Sequence, residues 1–275
     1  MRLGGPVFHA EEPKNWAQAH RLAGYRAAYF PLNENASDVD IKGYVDSARK
    51  DNLIIAEVGA WSNPLSSDHA VRAAAIKHCQ ASLDLADRAQ ARCCVNIAGS
   101  RGEQWDGPHP DNLSQDVFDL IVETVRDILD AVNPKHTFYT LETMPWVFPD
   151  SADSYLDLIR AIDRDRFAVH FDPVNLINCP SRYYDTPGLL RDAFQKLGPY
   201  IRSCHAKDIA LSTRLTVHLD EVPVGQGGLD YAVYLAELSK LSDDTPLMME
   251  HMAEDQYPVA AEYIRTTASA MGIEV

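Results

Sequence analysis

Short apolar runs alternate with longer segments of helical periodicity along the whole chain. Apolar residues recur at three- and four-residue spacing over 69–91, 116–131 and 230–241, which predicts amphipathic helices. Ser67 and Asp68 precede the first of these segments and are typical helix N-caps. The apolar runs predict eight strands, at 7–9, 25–30, 53–58, 93–98, 137–143, 167–172, 201–207 and 246–251.

Eight strand–helix units in 275 residues are typical of a single (β/α)8 TIM barrel. No linker rich in Pro, Ser or Gly divides the chain, so we predict one domain over residues 1–275. Three long connections, 99–114, 173–188 and 208–229, each follow a predicted strand. In a barrel they would lie at the carboxyl ends of the strands, where active sites are built.

Composition and charge narrow the class of protein. The chain is 46% hydrophobic and 24% charged, as in soluble globular domains. Its 25 Lys and Arg face 40 Asp and Glu, a formal charge of −15 without any basic block, which argues against a nucleic acid partner. No apolar run approaches the roughly 18 residues that a membrane span needs, so no membrane partner is expected.

The N-terminus and the cysteines both favour a cytoplasmic protein. Pro6, Glu11 and Glu12 come before any apolar stretch of signal-peptide length. The five cysteines form an odd set without a CxxC motif, which fits neither a disulfide framework nor a zinc knuckle. We expect them to be reduced and mostly buried.

Four potential metal ligands stand at the ends of the last four predicted strands: Glu142, Asp172, His205 and Glu250. Their separations of 30, 33 and 45 residues each correspond to about one βα unit. Because neighbouring parallel strands lie about 4.8 Å apart, side chains at their ends can converge on one point. Three carboxylates and one imidazole would be costly to bury together without a cation. The donor set favours Mn²⁺, with Mg²⁺, Co²⁺ and Zn²⁺ also fitting.

This order of Glu, Asp, His and Glu on strands five to eight resembles the xylose isomerase-like TIM barrels, a family of sugar phosphate isomerases and epimerases. The resemblance extends over the whole chain and implies one divalent metal ion held by Glu142, Asp172, His205 and Glu250. In the epimerase branch the two Glu ligands also exchange a proton on opposite faces of an enediolate, which implies catalytic roles for Glu142 and Glu250. A cation that chelates both oxygens of an enediolate stabilises its charge.

The leading function is therefore a metal-dependent isomerase or epimerase of a small sugar, ketose or keto-cyclitol. A metal-dependent lyase is the alternative, since the same proton abstraction can expel a β-substituent, as in inosose dehydratases and in C-glycoside deglycosidases that act on 3-keto glycosides. A DNA repair enzyme resembling endonuclease IV is a remote third reading, which the charge of −15 disfavours. The resemblance is compatible with a homo-oligomer and, for a deglycosidase, with a small second subunit.

Further site residues are predicted around the ligands. Lys207, in the segment SCHAKD, resembles the HxKD version of keto-sugar enzymes and is the third candidate catalytic residue, placed to reach the substrate. The alternative is a salt bridge to Asp208 or Glu250. Asn175 stands where ketose epimerases carry a His, which counts against a plain ketose 3-epimerase. The predicted substrate contacts are His9, Trp61, Arg101, Trp105 and Asn175, with Trp146 on a further loop.

Three more residues receive secondary roles. Glu57, near the end of the third predicted strand, is a weaker site candidate. His170 is expected to make core hydrogen bonds, because it lies two residues before Asp172 and therefore on the same face of its strand. His251 is expected to point away from the barrel interior if Glu250 points in.

Overall fold

A computed structural model describes all 275 residues. Eight parallel strands close into a barrel in the order β1-β10-β7-β6-β5-β4-β3-β2, and the two remaining strands form a hairpin, β8-β9. The single (β/α)8 barrel is confirmed. The strands are β1 Arg2–Gly4, β2 Ala27–Tyr29, β3 Ile54–Gly59, β4 Cys93–Asn96, β5 Tyr139–Glu142, β6 Phe167–Phe171, β7 Ile201–Ala206, β8 Asp208–Leu211, β9 Leu219–Val222 and β10 Pro246–Met249.

Nine α-helices surround the barrel: α1 Pro13–Leu22, α2 Asp38–Lys50, α3 His69–Ala89, α4 Gln115–Val132, α5 Ala152–Ile162, α6 Pro180–Tyr184, α7 Thr186–Leu197, α8 Tyr231–Leu238 and α9 Tyr257–Ala270. The three periodic segments form α3, α4 and α8, as expected. Asp68 caps α3 by accepting the N–H groups of Ala70 and Val71. None of the helices is long and apolar enough to cross a membrane.

The first strand differs from the prediction. It lies at Arg2–Gly4 rather than at 7–9, and its Gly4 pairs with Ala27 of β2 and Met248 of β10. A Cβ at Gly4 would lie 2.4 Å from the carbonyl oxygen of Ala27, so the close strand approach requires glycine. Gly4 therefore belongs to a barrel strand and Gly5 directly follows it, although paired glycines usually indicate a turn.

The long connection at 208–229 also differs, because it contains an unpredicted antiparallel hairpin. Strands β8 and β9 pair with each other and not with the barrel. The carboxylate of Asp208 accepts the backbone N–H groups of Gly225, Gly227 and Leu229, which ties the end of the connection to its beginning. The hairpin thus stands over the carboxyl end of the barrel, between β7 and β10 in sequence.

Candidate metal centre and active site

The four predicted metal ligands meet at the carboxyl end of the barrel. One donor atom from each of Glu142, Asp172, His205 and Glu250 lies within 4.8 Å of the others. His205 is central: its Nδ1 is 2.8 Å from Glu250 Oε1, 3.4 Å from Glu142 Oε1 and 3.7 Å from Asp172 Oδ2. The four residues predicted from the sequence to converge therefore do lie together in the structure.

Strand register explains the convergence. Glu142 is the last residue of β5, and Asp172 and Glu250 directly follow β6 and β10. His205 lies within β7, level with Met248 of β10. Since β5, β6, β7 and β10 are consecutive neighbours in the barrel, all four side chains reach the same region of its interior.

The cluster has the character of a metal site. Asp172 Oδ2, His205 Nδ1 and Glu250 Oε1 are buried and make no hydrogen bond of acceptable geometry. Donors that surround a cation at roughly 2.1 Å lie up to about 4 Å apart, so small side-chain adjustments would suffice for coordination. Three carboxylates with one imidazole suit Mn²⁺, Mg²⁺, Co²⁺ or Zn²⁺. These residues therefore fit a divalent ion.

Lys207 enters the same cluster. Its Nζ lies 2.7 Å from Asp172 Oδ2, 2.5 Å from Glu250 Oε1 and 3.5 Å from Glu142 Oε1, and the side chain is only 3% exposed. The lysine thus pairs with Glu250, one of the two partners considered from the sequence, and with Asp172. It does not pair with Asp208, whose carboxylate binds backbone N–H groups instead.

The charged groups in the cluster strongly shift one another's pKa values. Burial alone would lower the pKa of His205, but the carboxylates of Glu250 and Glu142 outweigh it and raise that pKa well above its usual value. Burial likewise opposes ionisation of Asp172 and Glu250. Lys207 and His205 nevertheless hold the pKa of both carboxyls well below the usual range. Asp172 and Glu250 therefore remain ionised at neutral pH.

A second layer of buried polar side chains lies directly below the four candidate ligands, which we call the metal cluster. Glu57 of β3 is 1% exposed, and its Oε1 accepts hydrogen bonds from His170 Nε2 at 2.9 Å and from Ser203 Oγ. His170 has the core hydrogen-bonding role expected of it. Ser203 was not singled out from the sequence, although the alternation of Ser203, His205 and Lys207 along β7 places all three on the interior face.

A cavity of about 660 Å³ opens above the cluster. Its wall carries the rings of Trp61, Trp105 and Trp146, each more than a third exposed. Its other lining residues are Tyr29, Glu57, Gly59, Val95, Ile97, Asp106, Glu142, Met144, Asn175, Lys207, Glu221, Glu250 and His251. The volume falls within the usual range for small-molecule sites. The cavity thus joins an acidic floor to a partly aromatic wall.

Asn175 lies in this cavity and contacts Glu142, one of the candidate metal ligands. Its Nδ2 donates to Glu142 Oε1 at 2.9 Å. The side chain is held close to Asp172, because the Asn175 backbone N–H bonds to Asp172 Oδ1 at 3.3 Å. The residue therefore orients Glu142 from the side of β6.

Two of the predicted substrate contacts lie outside the cavity lining. His9 is exposed and no longer follows a strand, because β1 ends at Gly4. The guanidinium of Arg101 donates to the carbonyls of Leu65 and Ser66, at 2.8 and 3.3 Å, and lines a neighbouring cavity. Backbone carbonyls thus occupy this arginine.

His251 and Glu221 were not expected at the cavity. Strand β10 ends at Met249, and His251 has a φ of +56°, so strand alternation no longer sets its direction. Its Nδ1 lies 3.2 Å from Glu221 Oε1, and both residues line the cavity. Glu221 arrives on the β8-β9 hairpin, which the sequence pattern did not reveal.

Comparison with known proteins identifies the class. The family model of the xylose isomerase-like TIM barrel matches residues 17–267, and the chain belongs to this family. A comparison with curated proteins finds no match.

Solved structures of three similar barrels illustrate the range of the fold. The 3-keto-D-glucoside 4-epimerase YcjR of E. coli is 15% identical, with a TM-score of 0.68 over 97% of this chain and 99% of that one. The probable 3-DHS dehydratase AsbF of Bacillus anthracis is 17% identical, with a TM-score of 0.69 over 90% and 91%. A Mycobacterium smegmatis xylose isomerase-like barrel in complex with magnesium is 18% identical, with a TM-score of 0.66 over 94% and 89%. At sequence identities this low, the TM-scores establish a shared fold only.

Proposed function

We propose that the protein is a divalent-metal-dependent isomerase or epimerase of an uncharged sugar or keto-sugar. The observation that carries the proposal is the buried set of three carboxylates and one imidazole at the floor of a cavity. When bound, a divalent cation would act as a Lewis acid and stabilise negative charge that develops on the substrate. Mn²⁺ is the first choice, and the magnesium complex of a similar barrel supports a hard cation.

Glu142 and Glu250 are the proposed catalytic pair. They approach His205 from β5 and from the end of β10, which are separated in the barrel by β6 and β7. One carboxylate would take the proton from the carbon beside the carbonyl group, and the other would return it on the opposite face. Asn175 holds one oxygen of Glu142 in place for this exchange.

The lining of the cavity supports an uncharged substrate. It contains no arginine, and its one lysine, Lys207, already pairs with Asp172 and Glu250. Phosphoryl groups are usually held by arginine, lysine or a helix N-terminus, whereas the charges here are mostly acidic. The rings of Trp61, Trp105 and Trp146 suit the apolar face of a sugar or an attached apolar group.

A lyase reaction is the second candidate, and Lys207 favours it. Elimination needs an acid that protonates the leaving oxygen, and the ammonium group of Lys207 lies at the cavity floor beside Glu250. The similar barrel AsbF carries the name of a probable dehydratase. Both reactions begin with the same removal of a proton, so only the product distinguishes them.

The test incubates the Mn²⁺-loaded protein in D₂O with a panel of ketoses, inososes and 3-keto glycosides. NMR and mass spectrometry would follow deuterium incorporation. We expect exchange beside the carbonyl of at least one member, and a loss of at least 100-fold in Glu142→Gln and in Glu250→Gln. The exposed Glu254→Gln is the matched control and should retain full activity. An isomer heavier only by the incorporated deuterium indicates an isomerase, and an unsaturated product indicates a lyase. Absence of both exchange and unsaturated product across the panel would contradict both.

A further inference from the structure

The imidazole of His205 has two buried nitrogen atoms that face different partners. Its Nδ1 faces the acids of the metal cluster, with Glu250 Oε1 at 2.8 Å. Its Nε2 faces downward, 3.4 Å from Glu57 Oε2. A neutral imidazole carries one proton, so a nitrogen that offers its lone pair to a cation leaves that proton on the other nitrogen.

Both atoms of the lower contact lack any other partner. His205 Nε2 and Glu57 Oε2 are buried and make no hydrogen bond of acceptable geometry. A buried polar atom left unpaired costs about 1–3 kcal/mol, so two such atoms 3.4 Å apart favour each other. A shift of a few tenths of an ångström would close a normal N–H···O hydrogen bond.

We propose that Glu57 is a positioning residue that keeps the proton of His205 on Nε2 and thereby directs Nδ1 at the metal. This inference rests on the proposed function, because it assigns the role of a residue toward the same metal ion. Ligating histidines generally donate their second N–H to a carboxylate or carbonyl, which fixes the ring and strengthens the ligand. Here the acceptor comes from β3, on a different part of the barrel from the four ligands.

Glu57 is itself fixed from two sides. His170 Nε2 and Ser203 Oγ both donate to its Oε1, which leaves Oε2 for His205. The rings of His170 and His205 pack edge to face, with centroids 4.2 Å apart. The side chains of Glu57, His170, Ser203 and His205 are all at most 1% exposed, so water cannot easily replace the carboxylate.

The first experiment locates the proton directly. Protein labelled with ¹⁵N-histidine would be studied by long-range ¹H–¹⁵N correlation NMR, with the signals of His205 assigned through a His205→Gln variant. We expect a proton on Nε2 in the Zn²⁺-bound protein, and in the metal-free protein at a pH high enough to leave only one proton on the ring. The shift of that proton should move in Ser203→Ala, which loosens Glu57. A ring protonated only at Nδ1 would overturn the proposal.

The second experiment measures Mn²⁺ affinity by calorimetry. Removing an outer partner of a ligating histidine typically weakens metal binding 10–100-fold, and we expect this for Glu57→Leu. Glu57→Gln keeps an acceptor without the charge and should fall between that variant and the wild type. Ser203→Ala should weaken binding by a few-fold. Thr140→Val is the matched control, because it also removes one buried hydroxyl, which donates to the Cys94 carbonyl instead, and it should bind as the wild type does.

The outcomes separate the two proposals. Wild-type affinity in a folded Glu57→Leu protein would overturn the role of Glu57 and leave the proposed function intact. A wild-type protein that binds no divalent cation would refute the proposed function, and the NMR experiment would still decide where the His205 proton lies. If Glu57→Leu does not fold, the comparison of Ser203→Ala with Thr140→Val decides the matter.

Discussion

Removal of the Lys207 ammonium should make the metal-free protein less stable and make its stability depend more strongly on a divalent cation. Lys207→Met keeps the length of the side chain and removes its charge. At an effective dielectric constant of about 20, a single ion pair at 2.7 Å corresponds to about 6 kcal/mol before desolvation costs. Measured losses on breaking one side of a buried pair are about 3–5 kcal/mol.

We therefore expect Lys207→Met to melt about 6–20 °C below the wild type in the presence of a chelator, at about 2–4 °C per kcal/mol. Added Mn²⁺ should recover much of this loss, because the cation neutralises Asp172 and Glu250 in place of the ammonium group. A ligand that binds only the folded state stabilises it by RT ln(1 + [L]/Kd). The rise in melting temperature with Mn²⁺ should thus be larger in the variant than in the wild type.

Differential scanning calorimetry with chelator and with Mn²⁺ measures both effects. Lys196→Met is the matched control, because Lys196 also contacts two carboxylates, Asp153 at 2.8 Å and Asp192 at 2.9 Å, but is itself 30% exposed and pairs with acids that are more than half exposed. An exposed pair contributes at most about 1 kcal/mol, so this variant should change the melting temperature little. Equal losses in the two variants, or an equal response to Mn²⁺, would refute the argument that Lys207 neutralises the buried acids.

Three further outcomes are expected. Asn175→Ala should lower turnover about 10–100-fold, since a hydrogen bond to a charged group contributes about 1.5–3 kcal/mol, and steady-state kinetics would show it. Trp105→Ala should raise KM more than it lowers kcat if the ring only binds substrate; an unchanged KM would count against that role. Asp87 accepts hydrogen bonds from the backbone N–H groups of residues 135–137. These bonds lower the pKa of Asp87, although its partial burial acts in the opposite direction. The ionised carboxylate therefore stabilises the folded state above the unfolded pKa of about 3.9, and this stabilisation is lost as the pH falls. Asp87→Asn keeps an acceptor oxygen and removes only the charge, so urea unfolding should show it to be less stable than the wild type by about 1 kcal/mol at pH 7, with the difference shrinking below about pH 4.

The barrel and its metal cluster could be predicted because both follow from periodic patterns. Six of the eight barrel strands lie within the predicted runs and β3 extends one residue beyond its run, since buried parallel strands are nearly continuous apolar segments. The four candidate ligands could be found because each stands at the same point of a repeating unit. The exception, β1, is short and contains Gly4, which is needed for close approach to β2.

The cavity wall was harder to predict, because loops and tertiary contacts set it. Trp61 and Trp105 lie on the loops that follow β3 and β4, and both line the cavity. His9 lies outside the cavity because β1 ends at Gly4. Arg101 lies outside it because its guanidinium donates to the carbonyls of Leu65 and Ser66. The sequence pattern did not indicate the buried contacts of Glu57, because its partners His170 and Ser203 lie more than 100 residues away along the chain.

The β8-β9 hairpin stands outside the hydrogen-bonded ladder of the barrel. Its strands pair with each other and with no barrel strand, and Asp208 secures its base, so the turn at 212–218 takes no part in the barrel ladder. The hairpin nevertheless delivers Glu221 to the rim of the cavity. In the proposed enzyme, natural selection or a mutagenesis library could therefore vary Glu221 and its hairpin, and with them the preferred molecule, while Glu142 and Glu250 keep their places in the barrel.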